Sequence, residues 1–269
     1  MTMLCLSAIL LATTALALPP AFAPYPYAQY NSIVDGPRNN SGSPLVVDLG
    51  YSIYRGYVDE PTGLRTWRGI RYGKDTREYR WQPSEAPSKN RTQIVNADRY
   101  GTLCPQAPNA GYGYTYWDSG LTTEDCLFLN VQAPSGTSSS TGNSTGNGTG
   151  LPVLVGIHGG GYGSGSNNLD FSKLINANGD QFIAVSIQYR LNAFGFLSSD
   201  EVQQKGTPNA GLLDQQLALK WVQQYIHLFG GNKNDVTIFG QSAGGGSVML
   251  HECVLSNSRS PCFSELTDY

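Results

Sequence analysis

The segment that most restricts this chain is Val236-Thr237-Ile238-Phe239, which runs without a break into Gly240-Gln241-Ser242-Ala243-Gly244. A strand, a Gly-x-Ser-x-Gly turn and a helix-compatible run behind it make a bend so tight that its flanking residues must be nearly free of side chain, as Gly240 and Gly244 are. Such a bend lifts the Ser242 hydroxyl to the carboxyl end of a sheet. The amides opening the next helix face the same point, where negative charge develops in acyl transfer. An ordinary Gly-rich turn is the bland reading of the pentapeptide, and the strand before it and the helix behind it argue against that reading.

The sequence upstream agrees. Leu151–Ile157 is a near-continuous apolar run ending in His158-Gly159-Gly160-Gly161, and Phe182–Tyr189 is another. Ala210–Leu228 carries apolar residues at helical spacing (Leu213, Leu217, Trp221, Tyr225) and is ended by Gly230-Gly231. With Val236–Phe239 as a third strand, apolar strands separated by a helix predict a buried parallel sheet. Leu45–Leu49, Tyr51–Val58 and Leu64–Tyr72 read as short strands before it. Ser135–Gly150 holds only Ser, Gly, Thr and Asn and reads as a flexible surface insertion. The glycines after His158 let backbone N–H donors come within about 2.7–3.1 Å of an oxyanion. A phosphate loop is excluded there, because Gly-Lys-Ser/Thr is missing.

Composition enters on destination. Leu4–Leu18 is an apolar run too short to span a bilayer, and Ala15-Leu16-Ala17 offers a cleavage site, so residues 1–17 read as a signal peptide with an alternative cut after residue 23. Residues 18–44 follow as an extended segment. Sequons at Asn39, Asn90, Asn143 and Asn147 fit a secreted glycoprotein. Leaving aside Cys5, the cysteines are Cys104, Cys126, Cys253 and Cys262. The even number predicts disulfides, most simply Cys104–Cys126 and Cys253–Cys262. With no C-x-x-C and 3 His, metal binding is the poorer reading. A formal net charge of −3 with no basic stripe excludes nucleic-acid binding, and no stable membrane anchor is expected.

These motifs resemble those of the type-B carboxylesterase/lipase family, which includes cholinesterases and fungal lipases. The matching stretches are Trp67-Arg68-Gly69-Ile70-Arg71-Tyr72, Glu124 through Val131, His158 through Ser166, and Tyr189-Arg190-Leu191-Asn192 with Gly195-Phe196-Leu197. Asn209 through Gln216 and Phe229 through Val248 follow in family order. The resemblance, covering residues 45–250, implies an α/β-hydrolase fold and hydrolysis of a small-molecule or lipid ester through an acyl-serine, without cofactor. It implies Ser242 as nucleophile and Gly160, Gly161 and Ala243 as oxyanion-hole donors. It also implies a Cys104–Cys126 disulfide whose loop, with Tyr112, Tyr114, Tyr116 and Trp117, forms a lid or rim or an ordinary aromatic loop. Glu124 would pair with Arg80 as scaffold, Asp214 would be structural and not the triad acid, and Ser247 a buried hydrogen-bonding residue.

The chain then departs from its family, where the order is Ser, then Asp or Glu, then His. His251 should lie roughly 13 Å along the helix axis from Ser242, and His227 near the far end of the strand. His158 belongs to the oxyanion loop. None is a convincing base. After Leu250 the resemblance is lost through a divergent 251–269 tail, and Cys253 and Cys262 then need not pair. An incomplete fold is therefore expected, explained better by a truncated or mis-spliced gene than by a naturally short protein, with little or no esterase activity. The alternative is an esterase-like binding or adhesion protein, which the intact elbow disfavours. Oligomeric state stays open.

Overall fold

The structure, a computed structural model, describes residues 45–107, 122–136 and 150–256, the side chains of the last stretch through residue 252. All of them belong to the unit Gly36–Tyr269. The signal and extended segments, Asn39, Asn143, Asn147, the Tyr112–Trp117 aromatics, the Cys253 side chain and Cys262 lie outside the described residues.

The main sheet has six strands in the order β3-β4-β6-β8-β7-β9. These are β3 (Tyr57–Asp59), β4 (Leu64–Arg71), β6 (Phe128–Ala133), β7 (Leu151–Ile157), β8 (Ile183–Ile187) and β9 (Gly231–Gly240). A smaller sheet joins β1 (Val46–Asp48), β2 (Ile53–Arg55) and β5 (Ile94–Asn96) in the order β1-β2-β5. The helices are α1 (Ser172–Ala177), α2 (Asn192–Phe196), α3 (Asp200–Lys205), α4 (Ala210–Tyr225) and α5 (Ala243–Ser256).

The parallel arrangement expected from Leu151 onward holds for β8-β7-β9, while β3, β4, β6 and β8 pair antiparallel. Every residue of β8 is buried, as its unbroken apolar sequence requires. Val155, Ile157, Val185 and Ile187 of the sheet pack in one core with Leu219 and Val222 of α4. Trp67 on β4 meets Phe229 edge-on at 5.0 Å, and Trp221 lies 5.8 Å from the same ring.

Three boundaries differ from the sequence reading. Strand β9 starts at Gly231 and not at Val236. Its polar start, Asn232 to Asp235, is tolerated because β9 is an edge strand of the described sheet and much of it faces solvent. The helix expected to reach Leu228 stops at Tyr225 and tightens into a 3₁₀ turn, Ile226–Phe229, closed by Gly230 at φ 94°. The Tyr51–Val58 strand divides at Gly56, whose N–H donates to Leu45 O (2.8 Å), the carbonyl that also takes the Trp67 indole N–H (3.1 Å). There the chain leaves one sheet for the other.

Candidate active site

Strands β7 and β9 run parallel with Ile157 opposite Gly240, so the His158–Gly161 loop and the Ser242 turn leave the sheet at the same level. The turn is as strained as its sequence implies. Ser242 has φ 57°, a left-handed conformation that is costly for a residue with a β-carbon. Gly244 N donates to Gln241 O and Gly246 N to Ser242 O, both at 3.0 Å, closing the bend onto α5. A β-carbon at Gly240 would lie 2.2 Å from the Gly244 carbonyl group, and one at Gly244 would lie 2.1 Å from Ile157 O. No side chain fits at either position.

The two loops touch. A β-carbon at Gly159 would sit 2.5 Å from Gln241 O and 3.1 Å from Ser242 Cβ. Gly160 and Gly161 both have positive φ, 110° and 62°, and the Gly160 carbonyl accepts from Gly163 N (3.1 Å) and Ser164 N (3.0 Å), which folds the loop back on itself. Ala243 opens α5, so its N–H belongs to the positive end of a 14-residue helix. The Ser242 side is exposed to solvent, as are Gly160 and Gly161.

Buried polar contacts hold this geometry. Tyr189 OH donates to His158 O (2.8 Å), and the two rings stack at 4.4 Å. Tyr162, itself at φ 57°, accepts at its carbonyl from Asn192 N (2.7 Å) and packs its ring 4.8 Å from Phe196. The Tyr162 hydroxyl accepts from Ser247 Oγ at 3.4 Å. Ser247 in turn accepts from Gln215 Nε2 at 3.0 Å, and Gln215 Oε1 meets His251 Nε2 at 2.8 Å. One chain of contacts thus joins the oxyanion loop, α4 and α5. Ser247 is the buried hydrogen-bonding residue expected of it.

Two scaffold pairs also form as expected. Asp214 is fully buried against Arg190, taking Nε at Oδ2 and Nη2 at Oδ1, each at 2.8 Å, with Arg190 N at 3.0 Å. Both oxygens of this carboxylate are engaged by Arg190, the structural role expected of it. Arg80 grips Glu124 with two N–H groups of one guanidinium edge, Nε to Oε2 at 2.7 Å and Nη2 to Oε1. Cys104 and Cys126 are joined, Cα to Cα 5.0 Å.

Neither His251 nor His227 stands beside the serine. His251 continues on α5, roughly 12 Å along the axis from its first residue, with its ring held by Gln215. His227 lies in the 3₁₀ turn before β9, so nearly the whole strand, about 30 Å at 3.3 Å per residue, separates it from the elbow. His158 is enclosed, its Nδ1 at 2.8 Å from Gly159 O and its Nε2 without a partner among the described residues. Burial pushes both His158 and His251 down to about 4, so both are neutral at physiological pH.

Sequence reasoning missed Tyr162 and Gln215. Tyr162 follows the glycine run directly, but only the fold brings its hydroxyl to Ser247. Gln215 lies within a matched motif, and its role depends on α4 and α5 packing side by side.

A mixed sheet whose parallel strands end in a strained serine turn, with a glycine loop folded against it, has the arrangement of an α/β-hydrolase. The chain belongs to the carboxylesterase family, whose profile matches residues 46–265. It is 38% identical over 207 residues to the para-nitrobenzyl esterase of Bacillus subtilis, covering 76% of this chain and 39% of that protein. It is likewise 38% identical over 212 residues to a secreted lipase of Arthroderma benhamiae, covering 76% and 35%. The solved structure of Aspergillus niger EstA aligns with a TM-score of 0.67 at 38% identity, over 78% of this chain and 38% of that one. The chain thus spans less than half the length of these relatives.

Proposed function

We propose that this chain carries the nucleophile and oxyanion hole of a secreted carboxylic-ester hydrolase, without cofactor. Ser242 attacks the ester carbonyl of a small-molecule or lipid substrate. The carbonyl oxygen, as it gains charge, is held by the N–H groups of Gly160, Gly161 and Ala243. The alcohol leaves, and water later releases the acid from acyl-Ser242. The observation that carries this reading is Ser242 held at φ 57° with the Gly159–Gly161 loop packed on it. Strain of about 1–3 kcal/mol at a single residue is kept where it positions a reacting group. A disulfide at Cys104–Cys126 and the secreted relative support export.

The same geometry leaves the serine without a base from this chain's own histidines. The 269-residue polypeptide therefore hydrolyses esters poorly or not at all. Fluorophosphonate labelling of the purified chain tests both halves of the proposal. Labelling should be slow, should be accelerated by added imidazole acting as a diffusible base, and should map to Ser242. A label elsewhere, or none even with imidazole, refutes Ser242 as nucleophile. Rapid stoichiometric labelling without imidazole refutes the missing base.

A further inference from the structure

Asn90 lies in a run, Ser88 to Asn96, in which every residue is exposed. Its backbone is nonetheless fixed: Asn90 N donates to Tyr51 O at 2.7 Å, and Tyr51 OH accepts from the Trp221 indole at 3.0 Å. The next residue is fixed as well, since Arg91 pairs with Asp48 of β1 (Nη2 to Oδ2 at 2.6 Å) and reaches Gly50 O at 3.2 Å. Within the turn, Thr92 places both its donors on Asn90 Oδ1, the hydroxyl at 2.9 Å and the N–H at 3.4 Å. The amide oxygen is thereby occupied, and the Nδ2 group of an exposed residue is left facing solvent.

The segment leads straight into β5, the edge of the smaller sheet, all of whose residues are exposed. Ile94 and Val95 are 42% and 36% exposed, two β-branched residues side by side on a strand edge. Such an edge can pair with other chains unless a charge, a proline, a bulge or a covering group blocks it, and β5 is blunted only by its length of 3 residues. None of the first three stands between Thr92 and Asn96. Asn90 is four residues before Ile94, so the turn keeps it within about 13 Å, the length of four extended residues.

We infer that Asn90 carries an N-linked oligosaccharide that stands over the β5 edge. The inference rests on the proposed secretion. In the transfer, Asn90 Nδ2 forms a bond to the anomeric carbon of a lipid-linked oligosaccharide pyrophosphate. The sugar–phosphate bond breaks, an amide proton is lost and the lipid pyrophosphate leaves. The hydrophilic sugar supplies the cover that the β5 sequence lacks.

The test is translation of the full chain into microsomes behind a host leader peptide, reading only the protease-protected fraction, so that failure of the native leader cannot mimic failure of the site. Peptide mass mapping should find Asn90 glycosylated. Asn90→Gln and Thr92→Ala should each remove one glycan from the chain, and Thr92→Ser should keep it. An unmodified Asn90 in the protected fraction overturns the site. The role at β5 is tested on secreted protein: Asn90→Gln should aggregate several-fold faster, and adding Ile94→Lys should restore solubility. Equal aggregation of glycosylated and Asn90→Gln protein overturns the covering role. Whether the chain's own leader functions is read separately, by the same translation without the host leader.

Discussion

Acidification between about pH 7.5 and 4.5 should destabilise this fold through two particular histidines. His158 uses Nδ1 on Gly159 O, so its Nε2 is the bare nitrogen, and it has no partner among the described residues. A proton arriving there would place a charge in the core. His251 faces Gln215 Oε1, a pure acceptor, so its Nε2 carries the hydrogen and any second proton would again be buried. Burial pushes each to about 4 from an ordinary 6.5. The folded values lie below the unfolded ones, so the unfolded chain binds these protons first. The contribution is therefore complete above 6.5 and is lost as pH falls toward 4. Each shift corresponds to about 3 kcal/mol, and the pair to roughly 5 kcal/mol between pH 7.5 and 4.5. Asp48, Asp75 and Asp170 are held below their ordinary 3.8, Asp48 and Asp75 chiefly by hydrogen bonds from Arg91 and Arg77, while hydrogen bonds from Ser172 and Gln132 outweigh the burial of Asp170. What these carboxylates contribute is present above 3.8 and lost only below it, so the windows separate. At about 2–4 °C per kcal/mol for a unit this size, calorimetry should show the melting midpoint falling roughly 10–20 °C across the histidine window. His251→Gln, which keeps a donor for Gln215 and cannot titrate, should remove about half of that slope. A flat midpoint down to about pH 4.5, or an unchanged slope in His251→Gln, would refute the reasoning.

Other outcomes follow from single contacts. Gly244→Ala sets a β-carbon 2.1 Å from Ile157 O and should cost about 3 kcal/mol in chemical denaturation, whereas Gly136→Ala, with nothing within 4 Å, should be neutral. Asp214→Asn leaves the Arg190 guanidinium, 2% exposed, without its counter-charge and should cost about 3–5 kcal/mol; replacing both partners by apolar residues should recover much of that loss in the same assay. Reducing Cys104–Cys126, which bridges a separation of 22 residues, should lower stability by about 3 kcal/mol through the freedom returned to the unfolded chain.

The parts of the fold that were legible in the sequence are those whose causes are local. The elbow is written in five consecutive residues because the bend itself excludes side chains at Gly240 and Gly244. The buried strands β7 and β8 announce themselves by unbroken apolar sequence. The Arg80–Glu124 pair, the structural role of Asp214 and the burial of Ser247 came from the family resemblance, and all three are found. What stayed hidden depends on place in the sheet or on packing between distant segments. Asn232 to Asp235 fall outside the Val236–Phe239 strand read from the sequence because polar residues seldom begin a central strand, yet β9 is an edge strand of the described sheet with Asn234, Asp235, Thr237 and Phe239 exposed. The division at Gly56 depends on where the Trp67 indole docks. The Tyr162–Ser247–Gln215–His251 chain needs a loop and two helices brought together, and no periodicity encodes that.

This contrast bears on the chemistry. An oxyanion hole is built from backbone N–H groups, and those are positioned by strand register and helix start: Ile157 opposite Gly240, and Ala243 as the first residue of α5. The strands, loop and helix start concerned all lie within residues 151–256. General-base catalysis is different, because a base must deliver one ring nitrogen to within about 3 Å of the serine hydroxyl. His251 is committed to Gln215, His227 lies at the far end of β9, and His158 is buried with its Nδ1 on Gly159 O. On the proposed reading, the frame that stabilises charge around Ser242 is set separately from the group that would activate it. On that reading a diffusible base such as imidazole should be able to activate Ser242. Ser242→Ala should then abolish imidazole-dependent labelling while leaving the melting midpoint at neutral pH unchanged or raised, since alanine at φ 57° bears the same backbone strain and forms no fewer contacts in the core.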